Sequence, residues 1–265
     1  MSSRDYKPSP SRSLPGPWKH GNIPVIGLIG GIGAGKSQVA ARMAEIGGFV
    51  IDADTVGHSL LNQRPVRDQV LSQFGSAILA PEVEGEPQMI DRRALASIVF
   101  ESTEARKTLE SLMHPAMRRT FEKAISRTQR RGGVKAVILD AAILFEAEWD
   151  DLCDRFVFVD SPRELRLARV METRGWNEET FASREATQIA IDRKRAVADM
   201  VVVNDGDLVA LRSAIGGCWN DLLRAPKRAQ TVRSAKEECS SDVAATAKAT
   251  VTVTVTPHVP DDSED

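Results

Sequence analysis

A lysine and a serine at the end of a glycine-rich loop are the first residues in this sequence that could do chemistry. Gly30–Ser37 reads Gly-Gly-Ile-Gly-Ala-Gly-Lys-Ser and directly follows the apolar run Ile23–Ile29. It matches the pattern G-x-x-x-x-G-K-[ST], in which backbone N–H groups surround phosphate oxygens. Lys36 can reach the β- and γ-phosphates of a nucleoside triphosphate, and the Ser37 hydroxyl can bind Mg²⁺. A glycine-rich turn with a surface lysine is the alternative, but the flanking strand and helix patterns favour the phosphate-binding interpretation.

Two acids follow the next predicted strand. Asp52 and Asp54 come directly after the apolar run Phe49–Ile51. Ligands of parallel α/β sheets bind at the carboxyl ends of the strands, so both carboxylates are expected beside the phosphate loop. Asp54 is a candidate to orient an attacking hydroxyl or to accept its proton, and the alternative is that it only caps a helix beginning near Thr55. Asp52 is expected to order the site or to approach the hydration shell of the metal.

A third acid ends the strand at Ala136–Leu139. Asp140 stands where a carboxylate that holds Mg²⁺ through water is found in phosphate-binding loop proteins. The segment 141–146 lies along the same edge of the predicted sheet. A strand-ending aspartate without a catalytic role is the alternative.

Arginines form the next group. Arg163, Arg166, Arg169 and Arg174 are three or five positions apart on one predicted helix and its end. Phosphoryl transfer needs cations that close over the transferring group and neutralise its charge. A solvated helical face with local acidic partners is the alternative, which is favoured for any single arginine. A functional role is favoured for at least one of Arg169 and Arg174.

His114 and Arg118 are a further pair of candidates, on the predicted helices before the third strand. His114-Pro115 is predicted to end one helix and to begin another, since proline is tolerated in the first turn. Arg118 lies one turn on and on the same side. The pair could hold an acidic acceptor, or it could be a capping histidine beside a surface arginine.

The positions of these residues depend on a predicted parallel sheet. Short, nearly continuous apolar runs alternate with helical patterns, which predicts a right-handed α/β sheet with strands buried on both faces. The strands are predicted at Val25–Ile29, Phe49–Ile51, Ala136–Leu139, Phe156–Val159 and Met200–Val203. The helices are predicted at Lys36–Ile46, Arg92–Phe100, Glu104–Met113, Met117–Arg130, Pro162–Glu172, Glu178–Arg195 and Leu208–Leu223.

Composition and spacing define the organisation around this sheet. Residues 23–224 are predicted to form the folded domain, with a helical insertion at about 55–132 and a second helical segment at about 162–198. Residues 1–22 are predicted to be a disordered leader without the apolar core of a signal peptide. Residues 225–265 are predicted to be a disordered tail, although the Thr–Val alternation at 250–256 could instead form an edge strand.

Charge and hydropathy exclude several classes of function. The formal net charge of −2 provides no basic field for a nucleic acid, and no apolar run reaches the length of a membrane span. The three cysteines are far apart, which is typical of reduced thiols. We therefore expect a cytoplasmic protein with neither nucleic-acid nor membrane partners, either a monomer or a weak homo-oligomer.

Several motifs together resemble the dephospho-CoA kinase family of P-loop kinases. They follow the order and spacing of the family across residues 25–223, and the combination of DAD, HP-x-x-R, LFE and AD-x-V-x-x-N is far more specific than the phosphate loop alone. A glutamine that the family often has on its lid helix is Arg166 here. The matching segments are GLIGGIGAGKS (27–37), VIDADTV (50–56), FG (74–75), DRRALASIVF (91–100), LESLMHPAMR (109–118), DAAILFE (140–146), REATQ (184–188) and KRAVADMVVVN (194–204).

The resemblance implies an α/β fold, a three-layer P-loop NTPase sheet with a helical acceptor-binding insertion and a helical lid. It implies transfer of the ATP γ-phosphate to the ribose 3′-hydroxyl of dephospho-CoA, with ATP as co-substrate and Mg²⁺ as cofactor. By the same resemblance, Asp54 serves the 3′-hydroxyl and Asn204 lies near the adenine. The remaining implied contacts are Ile32, Gly33, Ala34, Gly35, Lys36 and Ser37 with ATP, His114 and Arg118 with the acceptor, and Arg169 and Arg174 from the lid.

Two other functions stay open at this point. Another small-metabolite or nucleotide kinase could share the phosphate loop and the arginine-rich lid, but it need not carry DAD or HP-x-x-R. A non-catalytic ATP-binding regulatory module would differ only in lacking turnover. A GTPase-like switch is not indicated, because the sequence has no N-K-x-D guanine motif.

Overall fold

The computed structural model describes residues 16–82, 85 and 88–224, together with the backbone of residues 251–253. The strands are β1 (Val25–Gly30), β2 (Gly48–Asp52), β3 (Ala136–Asp140), β4 (Arg155–Asp160), β5 (Met200–Val203) and β6 (Val251–Val253). The helices are α1 (Lys36–Glu45), α2 (Ala53–Leu61), α3 (Val66–Phe74), α4 (Arg92–Glu101), α5 (Thr103–Arg131), α6 (Arg163–Arg174), α7 (Glu178–Ala186), α8 (Ile191–Ala196) and α9 (Leu208–Leu223).

The strands form one parallel sheet in the order β2-β3-β1-β4-β5-β6. Every residue of β1 is buried, as are the first four residues of β3, because helices cover the sheet on both faces. This explains why these strands are apolar at successive positions rather than at alternate ones. The predicted α/β class and its five parallel strands are confirmed.

The two faces of the sheet have different covers. Helices α1 and α9 cover one face, where Ile26 and Leu28 of β1 pack with Met43 and Trp219. Helix α5 covers much of the opposite face, where Val25 belongs to the same apolar cluster as the helices between β2 and β3. Helix α8 packs beside it against the end of β1. The result is the three-layer arrangement that places the carboxyl ends of the strands at one open edge.

Helix α5 differs from the prediction of two helices separated at His114-Pro115. Pro115 lies inside a single helix of 29 residues, although it has no N–H to donate to the carbonyl of Ser111. Buried side chains flank it on the core side, among them Met113 and Met117. Packing of this face onto the core holds the helix together through the proline.

The predicted helix over Glu178–Arg195 is instead two helices. The chain leaves the helical conformation between α7 and α8, where Ala190 has φ −50° and ψ 138°. The backbone N–H of Ile189 donates to Oε1 of Glu146 at 2.8 Å. The gap between the helices thus attaches this segment to the loop after β3.

The end of the predicted leader is ordered. Trp18 is buried under the guanidinium of Arg155, and Trp18 and Gly21 form an antiparallel bridge. The backbone N–H of Lys19 donates to Oδ1 of Asp154 at 2.8 Å. The prediction of disorder is therefore wrong for residues 16–22, because their polar groups and one large apolar ring find partners on the core. Residues 1–15 lie outside the described residues.

The predicted disordered tail also differs from the structure at one place. Val251–Val253 pairs in parallel with β5 and becomes the edge strand β6, as the Thr–Val alternation allowed. The rest of 225–265 lies outside the described residues. Among the described helices, none combines the length and apolar character needed to cross a membrane.

Candidate active site

The carboxyl ends of the strands bring the predicted site residues to one edge of the sheet. Gly30 ends β1, while Asp52 and Asp140 end β2 and β3 as direct partners in the parallel register. A cavity of about 860 Å³ opens at this edge and reaches both α5 and the lid helices α6 and α7. The predicted residues that line it are Ile32, Gly33, Ala34, Gly35, Lys36, Ser37, Asp54, His114, Asp140, Arg169 and Arg174.

The loop between β1 and α1 is held by hydrogen bonds that side chains donate to its carbonyl groups. Five successive carbonyl oxygens, those of residues 30–34, each accept a hydrogen bond from a side chain. Lys36 Nζ donates to the carbonyls of residues 30 and 31 at 3.2 and 3.0 Å. Arg166 donates to residue 32 at 3.3 Å, Arg169 to residue 33 at 3.5 Å and Asn204 Nδ2 to residue 34 at 2.8 Å.

The close approach of the lid and of the β5 end explains why this loop needs glycine. Gly33 has φ 75° and Gly35 has φ 92°, in the region that other residues rarely adopt. A Cβ on Gly33 would lie 2.6 Å from the carbonyl oxygen of Arg166, and one on Gly35 would lie 2.2 Å from Nδ2 of Asn204. Gly35 also precedes the ten-residue helix α1. The helix N-terminus therefore points its unpaired N–H groups and its positive dipole end at the site.

Lys36 lies in a strongly basic environment. Burial lowers the pKa of its ammonium group from 10.5 to about 8, against the opposing effect of Asp140. The charges of Lys194, Arg174 and Arg166 lower that pKa further. Several cations around one partly desolvated ammonium make the site suited to a polyanion.

Ser37 and Asp140 lie together beneath this loop. Ser37 Oγ donates to Oδ2 of Asp140 at 3.1 Å. Burial raises the pKa of the Asp140 carboxyl, while Lys36 and the Ser37 hydrogen bond oppose that shift. A serine hydroxyl and a carboxylate next to a phosphate loop are oxygen donors of the type that Mg²⁺ uses together with substrate phosphates.

The two acids after β2 have separate roles. Asp52 caps α2, because Oδ1 accepts from the N–H groups of Asp54 and Thr55 at 2.9 and 3.2 Å, and Oδ2 accepts from Thr55 Oγ1 at 2.9 Å. The helix thus begins two positions earlier than the capping alternative for Asp54 assumed. Asp54 is exposed on the first turn and lines the cavity, and its carboxylate has no hydrogen bond or ion pair within the described part of the chain.

The lid arginines divide into a structural and a cavity-facing set. Arg166 is buried, donates to the Ser161 carbonyl at 3.1 Å and pairs with Glu185 at 2.5 Å. Arg169 lines the cavity and donates to Ser161 Oγ at 3.0 Å and to the Asn204 carbonyl at 3.2 Å. Arg174 lies at the cavity wall with its guanidinium 5.0 Å from the ring of Trp176.

Two predicted residues do not line the cavity. Asn204 is buried beneath the phosphate loop, where it supports Ala34. Arg118 turns toward the loop before β4, where it makes a two-pronged ion pair with Asp151 at 2.9 and 2.6 Å and a second pair with Glu122 at 3.0 Å. The structure therefore does not bring Arg118 to the predicted acceptor site.

His114 does reach the cavity from α5. Its ring lies edge-on to Trp149 with 5.3 Å between the ring centroids. Burial lowers the pKa of the imidazole, and Glu110 opposes that effect. A lowered pKa keeps His114 neutral at pH 7, so it can exchange hydrogen bonds rather than supply a charge.

A buried ion pair beside the cavity was not predicted. Lys194 is 3% exposed, and its Nζ lies 3.1 Å from Oε1 of Glu146 and 3.2 Å from Oε1 of Gln188. The sequence indicated only that 141–146 lies along this edge, and a lysine within a basic run carries no sign that it will be buried. The pair ties the loop after β3 to the segment between α7 and α8.

Comparison with known proteins agrees with this geometry. Residues 24–210 match the family model CoaE, described as dephospho-CoA kinase. A dephospho-CoA kinase of Corynebacterium diphtheriae is 37% identical over 196 residues, covering 74% of this chain and 95% of that protein. One of Symbiobacterium thermophilum is 35% identical over 196 residues, covering 74% of this chain and 80% of that protein.

Solved structures give the same result for the fold. A protein of Thermus thermophilus, TT1252, has 32% sequence identity and a TM-score of 0.62, covering 76% of this chain and 98% of its own. A dephospho-CoA kinase of Campylobacter jejuni has the same fold at 22% identity and a TM-score of 0.54, covering 76% of this chain and 97% of its own. The chain belongs to the dephospho-CoA kinase family of ATP-dependent kinases.

Proposed function

We propose that this protein transfers the γ-phosphate of ATP to the ribose 3′-hydroxyl of dephospho-CoA, giving coenzyme A and ADP. The observation that carries the proposal is the Asp54 carboxylate, which has no partner among the described residues and shares one cavity with the phosphate loop and with His114 of the helical insertion. The identity of the acceptor is inferred from family membership, and we infer that both substrates bind in this cavity.

On the phosphate side, the loop amides and Lys36 bind the β- and γ-phosphates of ATP. Lys36 Nζ now donates to two loop carbonyls, so it needs only a small movement to reach phosphate oxygens. Arg169 and Arg174 come from the lid side and neutralise charge on the transferring group. Closing the lid over them excludes water from the reaction.

The residues beside the loop fit the Mg²⁺ that such a reaction uses. Ser37 would hold the ion directly and Asp140 would hold it through water, and their oxygens already lie 3.1 Å apart. When bound, Mg²⁺ supplies positive charge at the β- and γ-phosphates. The small number of protein oxygens here is typical of magnesium sites that the substrate completes.

On the acceptor side, Asp54 aligns the 3′-hydroxyl with the γ-phosphorus and accepts its proton. The O–H bond breaks as the new O–P bond forms, and the bond from the γ-phosphorus to the bridging oxygen of ADP breaks. His114 contacts the acceptor as a neutral group. Arg118 keeps its ion pairs with Glu122 of α5 and with Asp151, so its contribution is to position the 148–151 loop, which carries Trp149.

Turnover with different acceptors distinguishes this proposal from the two alternatives, another metabolite kinase and a non-catalytic regulatory module. Purified protein with Mg·ATP is expected to consume ATP with dephospho-CoA and not with AMP or without an acceptor. Consumption is followed by ADP release, and the product is identified by its mass. Turnover with a different acceptor would favour another metabolite kinase, while ATP binding without turnover would favour a regulatory module. A cytoplasmic location and a monomeric or weakly associating state stay predictions.

The affinity for ATP is expected to fall as the pH rises through about 8. Burial lowers the pKa of Lys36 to this value, so the free enzyme holds the charged ammonium below that pH and loses it above. Bound phosphate stabilises the ammonium, so kcat should stay level where kcat/KM for ATP declines. Both parameters are measured from about pH 6.5 to 9.5.

Lys36→Arg provides the control for this pH dependence. A guanidinium stays protonated throughout the range, so the residual kcat/KM of this variant should not decline near pH 8. A wild-type kcat/KM for ATP that is level up to about pH 9.5 would show that Lys36 is not the titrating group.

A further inference from the structure

Two arginines that line the cavity share one aromatic ring. The guanidinium carbons of Arg174 and Arg184 lie 5.0 and 4.4 Å from the ring centroid of Trp176. All three residues line the cavity. Within the described part of the chain, neither guanidinium has a carboxylate partner or a side-chain hydrogen bond.

Two like charges are thus held close together, and no residue in the described ranges neutralises them. Other cations at the cavity have polar partners, since Arg106 pairs with Glu110 at 3.1 Å, while Lys36 and Arg169 donate to carbonyl groups of the phosphate loop. Glu172 also lines the cavity, but it pairs with neither guanidinium. The indole ring fixes the two guanidiniums by cation–π contact but does not remove their mutual repulsion. A ligand with several negative charges would do so.

The contacts of Arg184 differ from those of Arg169 and Arg174. Arg169 contacts the phosphate loop, and Arg174 is close enough to Lys36 for its charge to act on that ammonium. Arg184 instead contacts the helical insertion, with its guanidinium 5.8 Å from the ring of Phe100 on α4. Helix α4 belongs to the insertion, the part of the chain that faces the acceptor.

The proposed acceptor carries a second group of negative charges close to the reacting hydroxyl. Dephospho-CoA carries a diphosphate on the 5′-carbon of the same ribose whose 3′-hydroxyl is phosphorylated, so the diphosphate lies one ribose ring away from the transferring phosphoryl group. Planar guanidiniums bind phosphate oxygens with paired hydrogen bonds. We propose that Arg184, held against Trp176, binds the diphosphate of the acceptor and so contributes to its selection. This assignment rests on the proposed function.

Steady-state kinetics of Arg184→Ala test the assignment. The change is expected to lower kcat/KM for dephospho-CoA by about 10- to 100-fold, as the loss of a charge-assisted contact would. The KM for ATP should stay within about twofold. Arg184→Lys keeps the charge without the planar fork, so it should recover part of the loss. The matched control is Arg193→Ala, an exposed arginine of α8 that does not line the cavity.

Adenosine separates the diphosphate contact from a general disturbance of the site, because it has the ribose but no phosphate. Its inhibition constant against dephospho-CoA, at saturating ATP, should be unchanged by Arg184→Ala. Equal weakening for adenosine and dephospho-CoA would overturn the assignment. The assignment would also be overturned if Phe100→Ala, which removes only the ring contact with α4, lowered kcat/KM for dephospho-CoA as much as Arg184→Ala does.

Failure of the proposed function is distinguishable from failure of this assignment. Wild-type protein that does not phosphorylate dephospho-CoA would overturn both. Wild-type turnover that Arg184→Ala leaves within about twofold would overturn the diphosphate contact alone.

Discussion

Lys36→Ala is expected to lower kcat by about 10³-fold or more while the protein stays folded. The ammonium is the cation that the loop itself carries to the β- and γ-phosphates. No other positive charge of the loop can neutralise the negative charge that develops there during transfer. Alanine also removes the donor to the carbonyls of residues 30 and 31. Arg166, Arg169 and Asn204 still hold the next three carbonyls, so the loop should keep its shape.

The stability of this variant gives an independent check. Burial lowers the pKa of Lys36, so the folded state binds a proton there less tightly than the unfolded chain. The charged lysine therefore opposes folding at pH 7, and its removal should leave Tm equal or raise it. Lys123→Ala, an exposed lysine on α5, is the control for both measurements. A kcat near the wild-type value would exclude Lys36 from the transfer step.

Asp54→Asn is expected to lower kcat by about 10²- to 10⁴-fold without changing ATP affinity. Asparagine has nearly the same shape but cannot accept the proton of the 3′-hydroxyl. The carboxylate has no hydrogen bond or ion pair in the described part of the chain, so nothing structural is lost with its charge. Single-turnover kinetics at saturating dephospho-CoA measure the transfer step, and calorimetric titration measures the ATP affinity.

Asp52→Ala is the comparison that separates capping from chemistry. This change removes the side-chain acceptor of two backbone N–H groups, so the free energy of unfolding should fall by about 1 kcal/mol. Asp54→Asn should leave that free energy unchanged. If instead Asp54→Asn lowered stability and kept kcat, the carboxylate would have a structural role and the proton acceptor would lie elsewhere.

The sheet was predictable because strands covered on both faces are apolar at successive positions. The phosphate loop was predictable because its glycines and its lysine are fixed by backbone geometry. The separate roles of Asp52 and Asp54 were not predictable, because they depend on whether α2 begins at Ala53 or near Thr55, and sequence patterns locate helix ends only to within one or two residues. The continuity of α5 through Pro115 depends on tertiary packing. Local helix preference predicts a break at the proline, because it takes no account of that packing.

Contacts between distant segments were the least predictable part of the site. Arg166 appeared as one member of a periodic arginine series, yet burial and the pair with Glu185 separate it from Arg169. Arg118 faces Asp151, which is 33 positions away in the chain. Such pairings depend on how the insertion and the lid pack against the sheet, so the spacing of residues along the chain does not predict them.

The five occupied carbonyls of the phosphate loop have a consequence for the thermodynamics of binding. Lys36 within the loop holds the oxygens of residues 30 and 31, and Arg166, Arg169 and Asn204 hold those of residues 32–34 from outside, so the peptide units of the loop are largely fixed before ATP arrives. The conformational entropy of ordering the loop is lost during folding, so little remains to be lost when the nucleotide binds. Preorganisation of this kind lets the loop dipoles favour the transferring phosphate without reorienting during the reaction.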